Sequence, residues 1–433
     1  MIDENQLFYF SSIDPKNKFW QNVHPKASEA GKFYIDITKR LNPHRFCSRD
    51  SSEWSMPWNQ TVPDKFKMLD YDPNFNKTFE EVTDEHAYTI KSGVQAGKKY
   101  ALMYSGGMDS TCTTVALLKN LTKEELKSVA ICCSIHSIIE NPIFWKKHLD
   151  GKFKIFDSNE HLYEDYINMG YTPITSDEGD CIFGTSIGLQ LYHNYDYYVS
   201  LQHSSVQDNL LKLKYKISDS SVHYTAYKDI LIRYFSFDET EEGLKFGKLL
   251  YEKYHRNILT CTVPVYSLHD FFWWLIFNVK YINCSLRGAA YYSGSIEFEK
   301  AMNSIENWFN APGYQYWSMV NNNNGMKIRN TISSYKQVQR EYIRDFDKND
   351  WYFFFKTKLE SLNNLNLRGK NNDYKKMMKY MVGVTDNYEY FCIPEEGEPI
   401  DQTGYKGKYR EDKEVKEFYE EKMINFKLDW LND

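Results

Sequence analysis

The stretch from Tyr100 to Asn120 leaves this chain few folds to choose from. Tyr100–Tyr104 (YALMY) is a short apolar run of the length of a buried strand, and Ser110–Asn120 (STCTTVALLKN) reads as a helix with Val115, Leu117 and Leu118 available for packing. A second apolar run, Val129–Ser134 (VAICCS), follows, and Tyr197–Leu201 (YYVSL) reads as a later strand. Strand, helix, strand in this order implies parallel neighbours, because parallel strands need a crossover and a helix supplies it. The fold class expected is α/β, a parallel sheet flanked by helices. Adjacent Cys132 and Cys133 suit the two faces of a strand better than a disulfide.

Around this unit the texture changes. Residues 1–94 are punctuated by Pro15, Pro25, Pro43, Pro57 and Pro63 and read as a loop-rich segment, ending in a polar hinge at Ser92–Lys99. Residues 95–240 form the α/β unit. Residues 241–433 read as mainly helical: Asp270–Tyr281 is apolar nearly all round, as in a helix buried on several sides. Asn321–Gly325 and Asn363–Asp373 are turn-rich, and 411–433 reads as a charged surface helix. Aromatic residues make up 17% of the chain, so a ring-filled core is expected.

Composition removes several function classes. The 433 residues carry 53 Lys and Arg against 59 Asp and Glu, a net charge of −6, which argues against a nucleic-acid-coating protein. None of the 8 cysteines forms a C-x-x-C pair, so a cysteine-rich zinc site is not expected. The longest apolar stretch, Phe271–Phe277, is about a third of the ~20 residues a membrane helix needs. The start, MIDENQLFYFSS, has no basic region before an apolar run. The expectation is a soluble, reduced, cytoplasmic protein with a small-molecule substrate.

Between strand and helix lies Ser105-Gly106-Gly107-Met108-Asp109-Ser110. Glycines let backbone turn tightly and approach a ligand, while the helix N-terminus aims N–H groups and its positive dipole end at an anion. Ser105 and Ser110 add hydroxyl donors. Asp109 is wrong for a bare anion site but suits one where Mg²⁺ bridges a carboxylate to phosphate oxygens. The common nucleotide loop G-x-x-x-x-G-K-[ST] is absent. A plain strand-to-helix turn with a Ser or Asp cap is the simpler alternative; the complete SGGMDS run favours the anion site.

This run resembles the signature of the ATP pyrophosphatase superfamily, SGGxDS after the first strand of a parallel sheet. The resemblance implies an adenine nucleotide α-hydrolase-like fold, with ATP and Mg²⁺ as cofactors. Such enzymes cleave ATP between the α- and β-phosphates, transfer AMP to a substrate oxygen and release pyrophosphate. Ser105, Gly106, Gly107, Asp109 and Ser110 would then grip the leaving pyrophosphate, with Asp109 a metal ligand. Ser176–Gly184 (SDEGDCIFG) resembles the asparagine synthetase pattern, an acidic, glycine-containing loop before Asp-Glu-x-Phe-Gly-Gly, with Asp180, Phe183 and Gly184 matching. Cys181 replaces the second acid and Thr185 the second glycine. Asp180 would be the second Mg²⁺ ligand, and Glu178, or Asp177 by gapless alignment, would sit near the reacting carboxyl. Ile131, Cys132 and Ser134, with His136 and Ser137 just beyond, would frame the adenine.

Farther along, Phe309–Trp317 resembles a substrate-side loop of synthetases. Lys336…Arg340-Glu341 resembles their K-x-x-L-R-E helix, with Gln339 in place of leucine. Lys358, or its neighbour Lys356, would match a following lysine that stabilises charge on the adenylated carbonyl. Asparagine synthetases open on a glutaminase domain with a nucleophilic cysteine; here residue 2 is Ile, and the segment before the loop is far shorter. The expected nucleophile is therefore free ammonia or another amine, or ammonia from a separate glutaminase. Two other functions stay open: a nucleobase-modifying enzyme similar to 7-cyano-7-deazaguanine synthase or to tRNA-modifying relatives, and a nucleotide-binding scaffold without catalysis.

Overall fold

The computed structural model describes residues 6–7, 49, 59–60, 64–158, 160–184, 221–236, 240–281, 284–285, 298–323, 336–349, 381–382 and 391–392. The expected strand Tyr197–Leu201, Asn363–Asp373 and 411–433 lie outside the described residues.

Within the segment expected to be loop-rich, α1 (Phe79–Gln95) is a helix of 17 residues. Its start is a capping box: the Glu81 N–H donates to Thr78 Oγ1 (3.2 Å), and the Thr78 N–H donates to the Glu81 carboxylate (2.7 Å). Phe79, Val82, Ala87 and Ile90 bury its inner face. The polar stretch at Ser92–Lys99 is no hinge. Its first residues finish α1, and Gly97 (φ 86°) turns the chain into the sheet.

The following elements are β1 (Lys99–Met103), α2 (Met108–Asn120), β2 (Val129–Cys133), α3 (Ile135–Glu140), β3 (Lys154–Asp157), α4 (Tyr163–Asn168), β4 (Tyr171–Thr175) and α5 (Gly179–Phe183). Then come α6 (Lys228–Phe235), α7 (Glu241–Thr260), α8 (Leu268–Trp274), β5 (Glu306–Asn307), α9 (Pro312–Asn323) and α10 (Gln337–Asp347). The five strands form one sheet in the order β3-β2-β1-β4-β5, every neighbour parallel. The chain starts in the middle at β1, works outward to β3, then crosses to the other side of β1 for β4 and β5. This reversal leaves a crevice at the carboxyl ends of β1 and β4, where open parallel sheets bind ligands.

Strand alternation sorts side chains onto two faces. Tyr100, Leu102, Ile131, Cys133 and Ile174 enter the main core, while Ala101, Ala130, Cys132 and Phe156 meet Tyr166 of α4 on the other face. Cys132 and Cys133 therefore occupy opposite faces, as the sequence predicts. In the main core, α8 continues into a π-helical turn, Leu275–Lys280, and every side chain from Phe271 to Phe277 is buried. The apolar run is long enough for such burial and no more: among the described residues, no helix is long and apolar enough to cross a membrane.

Candidate functional site

The glycine loop leaves the carboxyl end of β1, where the Tyr104 N–H still donates to the Cys132 carbonyl (2.8 Å). Gly106 adopts φ 72°, and a Cβ there would lie 2.2 Å from the Ser137 carbonyl oxygen, so only glycine fits. Gly107 is the N-cap of α2 and no side chain caps that helix end. A glycine at the cap offers the first-turn N–H groups no side-chain acceptor of its own, the arrangement that favours an anion. Ser105 and Ser110 brace the loop internally. The Ser105 N–H donates to Ser110 Oγ (3.1 Å), the Gly107 N–H donates to Ser105 Oγ (3.2 Å), and Ser110 Oγ donates to the Gly107 carbonyl (3.1 Å). Ser105 is exposed at the mouth and Ser110 is buried beneath it.

The acidic loop after β4 packs directly on this turn. Thr113 and Ser176 share a hydroxyl hydrogen bond (2.9 Å), and a Cβ on Gly179 would fall 2.2 Å from Asp109 Oδ1. Asp109 and Asp180, proposed from sequence as metal ligands, thus come together at the crevice. Between them stands the Lys336 ammonium, 2.6 Å from Asp109 Oδ2 and 2.7 Å from Asp180 Oδ1. Gln339 Nε2 also donates to Asp109 (3.0 Å). Only 3% of the Lys336 side chain is exposed, so its charge is neutralised locally. Burial alone would lower its pKa; the two carboxylates outweigh that and hold it well above the ordinary lysine value.

Two carboxylates converging on one cation are a donor set that fits Mg²⁺, which is usually bound by one or two carboxylates plus phosphate oxygens. Among the described residues, no group of three or more His, Cys, Asp or Glu side chains is placed to hold a metal. The Asp109–Asp180 pair would therefore need phosphate and water oxygens to complete a shell.

Other sequence expectations fare differently. Glu178 is fully buried: Asn307 Nδ2 of β5 donates to its Oε1 (2.7 Å), and among the described residues its Oε2 has no hydrogen-bond partner. Burial first, then the neighbouring Asp177 charge, pushes its carboxyl up to about 8. A side chain sealed in this way does not touch a diffusing substrate, so the substrate-facing role does not fit Glu178. Asp177, the alternative, is half-buried and remains accessible. Ile131 and Cys132 lie inside β2, paired to β1 on one side and β3 on the other. Their main chain is spent on the sheet, and framing a base edge does not suit them. Phe309, Tyr314 and Trp317 are buried in the core, so Phe309–Trp317 is not a substrate-side loop. Lys356 and Lys358 lie outside the described residues.

Sequence reasoning did not assign Lys336 or Gln339 to the site, although the K-x-x-L-R-E likeness places them at the start of a helix. Gln339 is the departure from that pattern, and it joins Lys336 in reaching Asp109; leucine has no donor to offer. Comparison with protein-family models, with curated proteins and with solved structures finds no match to this chain.

Proposed function

We propose that this protein is an ATP-dependent, AMP-forming ligase similar to asparagine synthetase, acting on a small-molecule carboxylate or carbonyl oxygen. The observation that supports this most is the meeting of Asp109 and Asp180, from two separate loops, around one cation beside the SGGMDS turn. In this reading the substrate oxygen attacks the α-phosphorus, the bond to the bridging oxygen breaks, and pyrophosphate leaves with that electron pair. An amine then attacks the adenylated carbon and AMP departs. The first-turn N–H groups of α2 hold the departing pyrophosphate, and the helix dipole offsets its charge. Asp109 and Asp180 are the residues that would hold Mg²⁺, which when bound neutralises charge on the phosphates. Lys336 compensates the two carboxylates before the metal binds, and Asp177, in the same loop as Asp180, is the half-buried carboxylate that would face the substrate.

A second reading, a nucleotide-binding scaffold without turnover, is favoured by the Lys336 ammonium, which already neutralises both carboxylates. Phosphorus NMR of ATP incubated with the full chain, Mg²⁺, ammonium ion and a panel of carboxylic acids separates the two. AMP with pyrophosphate supports the ligase. ADP with phosphate opposes it, and bound but unchanged ATP across the panel favours the scaffold.

A further inference from the structure

We propose that Lys336 is a built-in counter-cation which a divalent metal must displace, so that metal binding at Asp109 and Asp180 is coupled to release of the Lys336 side chain from the two aspartates. This inference rests on the reading that the two aspartates hold a divalent cation. The Nζ atom lies 2.6 Å from one carboxylate and 2.7 Å from the other, in the position from which a single cation reaches both. An ammonium has three donors and no lone pair, so it cannot join a metal's ligand shell. A divalent ion at its usual oxygen distance of about 2.0–2.6 Å from both carboxylates would share the space of the Lys336 nitrogen. Two cations at such a separation also repel strongly in a site this poorly solvated. The two occupants exclude one another.

The backbone is arranged for such an exchange. Lys336 has φ 55° and ψ 30°, a left-handed conformation that a side chain with a Cβ adopts at a cost. It sits one residue before α10, and the helix beyond it is anchored separately. The Tyr342 hydroxyl donates to Asp84 (2.6 Å), and Asp347 at the far end is held by His148 (2.6 Å) and Lys147 (3.1 Å). Those anchors fix α10 while the contacts of Lys336 with the two aspartates are lost. What moves is one strained residue, and what drives it is replacement of a single charge by a double one between the same two carboxylates.

The test uses the full-length protein with Mn²⁺ alone as the probe, titrated by electron paramagnetic resonance of the free ion. Lys336→Met is expected to bind one Mn²⁺ at least about 10-fold more tightly than wild type, with the gain abolished in Lys336→Met/Asp180→Asn. Equal or weaker binding by the folded Lys336→Met variant overturns the proposal. A second measurement needs no variant: acetylation of wild-type lysines, mapped by mass spectrometry with and without saturating Mn²⁺. Labelling at Lys336 is expected to rise at least about 5-fold with the metal. Unchanged labelling while Mn²⁺ is bound, or no Mn²⁺ binding to either protein, overturns the proposal. These outcomes are independent of turnover. Metal-dependent exposure of Lys336 together with ADP formation would leave the displacement standing and defeat the ligase reading; AMP formation with a silent Lys336 would do the reverse.

Discussion

Gly179 tests the site at the residue scale. Its missing side chain is what lets the Asp180 loop close on Asp109, since a Cβ would lie 2.2 Å from the Asp109 carboxylate. Gly179→Ala is expected to push the two aspartates apart and to weaken Mg-ATP binding at least about 10-fold, roughly 1.4 kcal/mol, measured by isothermal titration calorimetry. Gly170→Ala is the control: it carries a left-handed backbone cost (φ 80°) that Gly179 does not, but among the described residues its Cβ would meet nothing within 4 Å, so it should leave ATP affinity unchanged. At this scale the sequence is legible where chemistry is local. SGGMDS and Asp180 announce themselves by residue type and order. Lys336 does not: the K-x-x-L-R-E likeness marks it as the start of a helix, but its partner Asp109 is 227 residues away and no local pattern records that pairing. Asp177 and Glu178 are equivalent as letters; burial alone separates them.

Helix α1 shows how an element can be hidden by its surroundings. Proline-rich sequence upstream suggests loops, yet Thr78-x-x-Glu81 together with the apolar Phe79, Val82 and Ile90 is a complete helix start. Thr78→Ala is expected to cost about 1 kcal/mol of stability, seen as a lower urea midpoint with an unchanged slope. An unchanged midpoint would mean that the capping box contributes nothing to the fold. Strand β5 is a harder case. Its two residues, Glu306 and Asn307, are polar and lack alternation; they are a strand only because they pair with Ile174 and Thr175 of β4. No local pattern carries that information. The same holds for the order of the sheet: the crossing of the chain from β3 to β4 is decided by long-range pairing, while the existence of β1, α2 and β2 is written in the local apolar runs.

Across the whole molecule, His86 ties α1 to the segment around β5, with its ring 4.5 Å from that of Trp308. Glu306 at 3.6 Å is too far for a hydrogen bond, and burial lowers the imidazole pKa to about 4. Below the unfolded value of about 6.5, the unfolded chain takes up a proton that the native protein refuses. Stability from this group is therefore complete above about pH 6.5 and is lost as pH falls toward about 4, by an amount of the order of 3 kcal/mol. Urea melts between pH 7 and pH 4.5 should show a smaller acid-side loss in His86→Leu than in wild type; parallel curves would show that His86 is not buried neutral. The central claim concerns the crevice between β1 and β4, and isotope exchange between labelled pyrophosphate and ATP reads it most directly, because exchange requires reversible transfer of AMP. Screened over a carboxylic-acid library with Mg²⁺, the wild-type protein is expected to show exchange with at least one acid, and Asp109→Ala and Asp180→Ala to retain less than about a tenth of that rate, a loss above ~1.4 kcal/mol. Exchange that survives either substitution, or ATP turned over to ADP without exchange, would contradict the account.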